Sequence, residues 1–244
     1  MKQQGTEWQV NAFGQPIGLS LPDWQGAVRP VLVELRGRTC RVVNLDPPRH
    51  GPQLFEGHRR DASGANWTYL SVGPFGDDRE LFEAWLAQAA ASTDPLHLAI
   101  EVGEGREASG TASYMRIDPA NGVIEVGFIA STPRLQRTTP FTEAMYLMMQ
   151  HAFETLGYRR YEWKCDALNA PSRRAAERLG FTYEGTFRQA AVTRGRTRDT
   201  AWYSIIDRDW PELRASFEAW LDPANFDADG CQRRKLEEIR ASAA

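Results

Sequence analysis

The chain has 244 residues, enough for one domain with extensions or two small domains. With 42% apolar and 25% charged residues it can bury a core without disulfide or metal staples. Its net charge of −3 excludes a global basic field that would draw in nucleic acid or anionic lipid.

Residues 1–35 carry Gly14, Pro16, Gly18, Pro22, Gly26 and Pro30 among scattered aromatics, so an irregular extension is expected. Trp8, Phe13 and Trp24 argue that it packs on the domain. Thr39–Leu45 alternates and is β-rich, which predicts a first strand. A helix over about 50–63 follows the Pro47-Pro48 pair. The stretch Asn66–Val72 leads into the turn Gly73-Pro-Phe-Gly76. Asp77 or Asp78 caps the next helix, with Leu81, Phe82, Trp85 and Leu86 at helical spacing.

Three short strands are predicted over Leu96–Val102, Gly110–Ile117 and Val123–Ala130, the last two joined by a turn ending in Asn121-Gly122. A helix from Thr142 to about Leu156 stops at Gly157, and Tyr161–Cys165 is the next strand. Pro171–Leu179 is a helix closed by Gly180. Phe181–Phe187 and Thr200–Ile206 are two final strands, and 210–221 a final helix. A strand–helix–strand unit over 123–166 requires a parallel pair with a right-handed crossover, while the strands before it form an antiparallel meander. The expected class is therefore a mixed α/β sheet. Its organisation is an extension over 1–35, a domain over 36–221 and a charged, solvated tail over 222–244.

The helix start at Pro133–Ala144 could hold an anion. Thr139 is a good N-cap, Pro140 a good first residue, and Glu143 suits the first turn. Unpaired N–H groups there, with Arg134 and Arg137 nearby, suit phosphate, although a plain capped helix has the same features. Neither GxGxxG nor GxxxxGK[ST] occurs. Cys40, Cys165 and Cys231 are sparse and unpaired, and His50, His58, His97 and His151 form no ligand motif, so no metal is expected. No apolar leader and no run of about 18 apolar residues is present, and a soluble, cytoplasmic protein is expected.

Ile124-Glu-Val-Gly-Phe128, Thr142-Glu-Ala144, Asn169-Ala-Pro-Ser-Arg-Arg-Ala175, Arg178-Leu-Gly-Phe181, Glu184-Gly-Thr-Phe-Arg188 and Arg198-Asp-Thr-Ala-Trp-Tyr203 recur in one order and spacing. Through them the chain, from about residue 38 to 210, resembles the GNAT superfamily, closest to its RimJ/RimL-like branch. The resemblance implies a GNAT fold, a central mixed, mostly antiparallel sheet with a splayed parallel pair flanked by helices. It implies acetyl-CoA as co-substrate and direct transfer to a primary amine: a peptide or protein N-terminus, an amino acid or a small amine.

In that family the strand–helix junction holds the CoA diphosphate. Here the matching positions are Gln136, Arg137, Thr138, Thr139 and Phe141, leading into Thr142. Thr139 stands where a glycine is usual and Phe141 where a small residue is usual, a departure that favours a non-catalytic acyl-CoA-binding module as the competing reading. The resemblance implies that the pantetheine arm enters the splay beside Phe128 and Ile129, and that Asn169 bonds it. Read from the residues alone, Asn169 is equally a loop or cap Asn.

An amine with a pKa near 10.4 must lose a proton before it attacks. Glu125, a carboxylate among apolar strand neighbours, is the candidate base, a structural salt bridge being the alternative. A backbone N–H around Gly127–Ile129 could stabilise the oxyanion. The Tyr common in the family is Ala176 here, and Ser172, one turn earlier, is the candidate to stabilise the thiolate. Arg173 could reach a phosphate. Cys165 invites an acyl-cysteine route, against the ordinary buried Cys. Trp67 and Tyr69 are candidates for the acceptor opening or, equally, core aromatics. The expected partners are acetyl-CoA and the amine, with no nucleic acid or membrane, the chain acting as monomer or homodimer.

Overall fold

In a computed structural model, which describes residues 8–31 and 33–243, the chain folds around one eight-stranded sheet. Its elements, in order, are β1 (Gln9–Val10), β2 (Pro16–Ile17), β3 (Glu34–Arg36), β4 (Cys40–Asn44), α1 (Pro47–Arg59), α2 (Arg79–Ala91), β5 (Leu96–Val102), β6 (Glu107–Asp118), β7 (Val123–Ser131), α3 (Thr139–Gln150), β8 (Arg160–Asp166), α4 (Ala170–Leu179), β9 (Thr182–Thr193), β10 (Arg196–Ile206), α5 (Trp210–Leu221) and α6 (Leu236–Ala243). The sheet order is β3-β4-β5-β6-β7-β8-β10-β9. Every neighbouring pair is antiparallel except β7–β8. This is the mixed α/β architecture expected from the strand–helix–strand core.

Alternation along the strands sorts residues to two faces. Ile124 and Val126 of β7, Tyr161, Trp163 and Cys165 of β8, and Ala201, Tyr203 and Ile205 of β10 point into one core, packed with α3, α4, α5 and α6. The opposite face is covered only over its first half, where α1 and α2 bury Leu54, Phe55, Phe82 and Leu86 against Val43, Ala99 and Ala130. The second half of that face carries Glu125, Glu162, Lys164, Trp202 and Ser204, placed side by side by the registers Glu125↔Glu162, Lys164↔Trp202 and Glu162↔Ser204.

Several boundaries correct the sequence reading. The helix predicted over 50–63 begins at Pro47, where two prolines fit a first turn, and Asn66 and Trp67 lie in a 3₁₀ turn. The helix predicted from Thr142 begins at Thr139, capped by Thr138 rather than Thr139, and runs into a π-helical turn over His151–Thr155. Asp78, not Asp77, caps α2 through the Leu81 N–H. β9 and β10 extend well beyond the predicted ends to meet at a tight turn bearing Arg194 and Gly195.

The tail predicted to be solvated is docked: Leu236 and Ile239 are buried, and the Arg240 guanidinium donates to the carbonyls of Glu177 and Arg178 at the end of α4. The extension is only partly docked. The Trp24 indole donates to Ala120 O at 2.7 Å and stacks under Arg159, whereas the β1–β2 hairpin leaves Trp8 and Phe13 exposed. No helix among the described residues is long and apolar enough to cross a membrane.

Candidate active site

β7 and β8 are paired only from Val123↔Arg160 to Val126↔Trp163. Beyond that point Ser113↔Gly127 and Thr111↔Ala130 tie β7 to β6, and Cys165↔Ala201 and Asp166↔Thr200 tie β8 to β10. The two central strands therefore part, and a gap opens in the middle of the sheet. At its mouth β7 bulges: the register slips between Thr111 and Ser113, and Phe128 has φ of 49°, which a residue with a Cβ rarely adopts. Contacts of its ring with Trp85 and His97 hold it there, and the Ser113 hydroxyl donates to Gly127 O at 3.0 Å. A bulge leaves residues out of the ladder, and Phe128 and Ile129 have no register partner on β6 or β8.

Glu125 lies two residues before Gly127 on the uncovered face and is 3% exposed. Its carboxylate is 3.0 Å from Lys164 Nζ and 2.9 Å from Arg116 Nε. Lys164, also buried, bridges to Glu162 at 2.6 Å and sits 3.8 Å from the centre of the Trp202 ring. Glu162 holds Arg160 at 2.7 Å, and Arg160 forks onto Glu184. Burial pushes the Glu125 carboxyl above its ordinary value, against the pull of Lys164 and Arg116. Glu125 is thus an ion-paired carboxylate, the alternative kept beside the proton-acceptor reading of the sequence. Arg116, Glu162, Lys164 and Trp202 were missed as site residues. The signal was present in Tyr161-Glu-Trp-Lys-Cys165, where a polar residue at every second position of a central strand marks a polar face.

On the other side of the gap, the Trp163 indole donates to Ser172 Oγ at 3.0 Å. The Ser172 hydroxyl is thus held between the Trp163 indole, which donates to it, and the buried Cys165 sulfur, with which it is also hydrogen-bonded. Asn169 caps α4 through the Ser172 N–H at 3.1 Å, the ordinary cap role; its amide N–H₂ has no intramolecular acceptor among the described residues. Cys165 is buried, and burial raises its thiol, which leaves little thiolate for an acyl-cysteine route.

The α3 start offers a cap but fewer free groups than expected. The Thr138 hydroxyl accepts the Phe141 N–H and donates to Leu135 O, and Phe141 leans on the core. Arg137 adopts φ of 59° and is exposed, so its side chain is available to an anion. Gln136 donates to Asn66 and Ser131 O, which ties this loop to the 3₁₀ turn.

Arg173 donates through Nε to Tyr203 OH at 3.1 Å and lies against Tyr183, with Nη2 left without an acceptor among the described residues. Two expectations are corrected. Thr142 is buried and accepts from Arg178. Glu143 does not face the helix dipole: its buried carboxylate accepts the backbone N–H groups of Arg38, Thr39 and Cys40 at 2.6–3.1 Å, and a Cβ at Gly37 would collide with it.

Trp67 is 3% exposed and packs among His58, Phe75 and Trp85, a core aromatic. Tyr69 instead lines a cleft of about 570 Å³ between residues 63–74 and the β9–β10 turn, its hydroxyl donating to Leu168 O. Among the described residues no group of three His, Cys, Asp or Glu converges as a metal site would.

Comparison with known proteins gives this geometry a context. Residues 45–182 match the family described as "Acetyltransferase (GNAT) domain". A crystal structure of a GCN5-related N-acetyltransferase from Brucella melitensis superposes with a TM-score of 0.88 at 44% identity, covering 91% of this chain and 100% of that one. The uncharacterized N-acetyltransferase p20 of Bacillus licheniformis is 26% identical over 58% of this chain and 80% of its own. A ribosomal-protein-serine acetyltransferase of Escherichia coli is 30% identical over 41% of this chain and 56% of its own.

Proposed function

The chain belongs to the GNAT family of acetyl-CoA-dependent N-acetyltransferases, and from that premise we propose that Glu125 deprotonates a primary amine at the parted strands of its sheet. The observation that carries this reading is a buried carboxylate, raised above its ordinary value, two residues before the bulge at the mouth of the gap. A base whose pKa moves toward neutrality is better matched to proton transfer at working pH.

Acetyl-CoA supplies the activated acetyl thioester. The gap between β7 and β8 takes its pantetheine arm, and the α3 start with Arg137 takes its diphosphate. The Thr138 cap leaves the remaining first-turn N–H groups to face the anion. Asn169, through its amide, holds the arm. Glu125 accepts the proton of the incoming ammonium, directly or through one water, and Lys164 and Arg116 balance its charge before and after.

The amine nitrogen then bonds to the thioester carbon. Backbone N–H groups at Phe128–Ile129 receive the oxygen's negative charge in a fixed geometry. The C–S bond breaks, and the second proton that the newly bonded nitrogen sheds passes to the departing sulfur, which leaves as the free thiol, while Ser172, its oxygen engaged by Trp163, turns its hydrogen from Cys165 to that sulfur as charge develops. Lys164 is fixed between two carboxylates and an aromatic ring, and it serves Glu125 as counter-ion rather than as an acceptor of acetyl groups.

The acceptor is a primary amine, and a peptide N-terminus is the first to try, given the name of the Escherichia coli relative. The test is thiol release from acetyl-CoA with a panel of peptides, amino acids and small amines. Glu125→Gln is expected to lower kcat roughly 10²–10⁴-fold, the usual contribution of a positioned base. Retention of turnover within about threefold removes Glu125 from the reaction.

A further inference from the structure

The uncovered face of the sheet continues from Glu125 to the cleft that Tyr69 lines, and the charges there are uneven. Arg194, Arg196 and Arg198 edge it from the β9–β10 turn, while Asp166 is the one carboxylate in its lining. The Asp166 carboxylate is partly spent on the Leu168 N–H. Arg194 reaches across and donates to the carbonyls of Val72 and Gly73, closing one end. Arg196 and Arg198 are different: neither guanidinium has a hydrogen-bond or ion-pair partner among the described residues. The Nε of Arg198 is buried without an acceptor. A buried guanidinium N–H with no acceptor is costly, and a site that keeps one is shaped for a group that arrives from outside. Two unpaired guanidinium forks at alternate positions of one strand match the planar oxygens of a carboxylate or phosphate.

The arginines lie beyond the proposed base along the same face. Asp166 is two residues past Lys164, about 7 Å along β8, and the register Thr200↔Asp166 puts Arg198 two residues further on and Arg196 two beyond that. An amine at Glu125, whose carboxylate is 3.0 Å from Lys164 Nζ, is therefore several residues of extended chain from an anion at the arginines.

Resting on the acetyl-transfer reading above, we propose that the acceptor carries, remote from its amine, a carboxylate or phosphate that Arg196 and Arg198 bind. This narrows the acceptor from amines in general to amines with a distal anion. It also separates the anion of the acceptor from the phosphates of the coenzyme, which fall to the α3 start.

The experiment measures binding, so that it does not depend on turnover. N-acetyl peptides of three to six residues with a free C-terminus, and their C-terminal amides, are titrated calorimetrically into protein saturated with CoA. A second matched pair, an N-acetyl aminoalkyl phosphate and the corresponding alcohol, is run beside it. The anionic member of at least one pair is expected to bind tenfold or more tightly, and the pair that shows the preference identifies the anion. In Arg196→Gln/Arg198→Gln the two members of that pair are expected to bind alike. Equal binding in the unsubstituted protein overturns the proposal. So does a double variant that keeps the preference, or one whose only change is weaker CoA binding, which would give the arginines to the coenzyme. A preserved anion preference in a protein that acetylates none of the corresponding free amines would fault the transfer reading and leave the anion site standing.

Discussion

Replacing Lys164 by Met is the sharpest physical test of the site. The side chain is 6% exposed and its ammonium is the one cation shared by Glu125 and Glu162, themselves 4% and 7% exposed at the side chain. Methionine keeps much of the volume and the contact with Trp202 but deletes the charge. Breaking a buried ion pair by removing one partner costs roughly 3–5 kcal/mol, because the other charge is left desolvated. Each carboxylate retains an arginine here, Arg116 for Glu125 and Arg160 for Glu162. Arg116 is largely exposed and screened. The expected loss is therefore at the low end, about 3 kcal/mol, or roughly 6–12 °C in Tm for a chain of this size.

The pH dependence has a definite sign. A carboxyl whose folded pKa lies above its unfolded value binds more protons when native, so its burden on stability is present above the unfolded pKa and is relieved as pH falls. Glu125 already lies above 4.5 through burial, and loss of Lys164 moves it further in the same direction. The deficit of Lys164→Met is thus widest near neutrality and narrows toward pH 5. Adding Glu162→Gln should restore a substantial part of it. Melts followed by circular dichroism between pH 5 and 8 read all three effects. A loss below about 1 kcal/mol that does not vary with pH would show that the cluster is hydrated and that its carboxylates are not held as described.

In kinetics, the acid limb of kcat/KM should fall above the ordinary carboxylate value of 4.5 and vanish in Glu125→Gln; a limb that persists unchanged belongs to another group. Ser172→Ala should lower kcat roughly 10²-fold, the low end for loss of one preorganised donor, with KM for acetyl-CoA nearly unchanged. An unaltered kcat would take Ser172 out of the thiolate step. Glu143→Ala strands three backbone N–H groups and should cost about 3 kcal/mol in urea melts, near 1 kcal/mol for each; under 1 kcal/mol would mean that water replaces the carboxylate. Leu236→Ala should cost about 2 kcal/mol by leaving a cavity between α5 and α6, and a neutral result would return the C-terminal segment to the solvent.

What the sequence disclosed was local. The Asn121-Gly122 turn, the Asp78 cap, Gly180 with φ of 96° and the run Leu96–Val102 each depend on near neighbours, and each lies where pattern alone put it, or within a residue. The architecture followed, because a long connection between two strands leaves little choice of topology. Distant pairings were hidden. Glu143 reads as a helix-terminal charge until residues more than a hundred positions away bring three N–H groups to it. Nothing near Arg173 in sequence announces the Tyr203 hydroxyl that β10 brings to it. The C-terminal helix reads as polar because, among its described residues, Leu236 and Ile239 alone are buried. Lys164 is a single basic residue in a strand, and nothing near it in sequence shows that Glu125 waits on the adjacent strand, paired through Glu125↔Glu162.

The parting of β7 and β8 also has a consequence for cohesion. Four rungs join the two halves of the sheet where continuous pairing would have made several more, so the molecule is stitched most thinly along its own midline. Whatever settles into that opening and bonds to both lips adds the missing stitches, and by mass action raises resistance to unfolding by about 2.7 kcal/mol at a hundred times its Kd. Amide exchange along Cys165–Asp166 and Gly127–Ser131 should then slow together when the opening is filled, ahead of any change at β3 or β9. Occupancy would thereby be legible as rigidity at the centre of the fold.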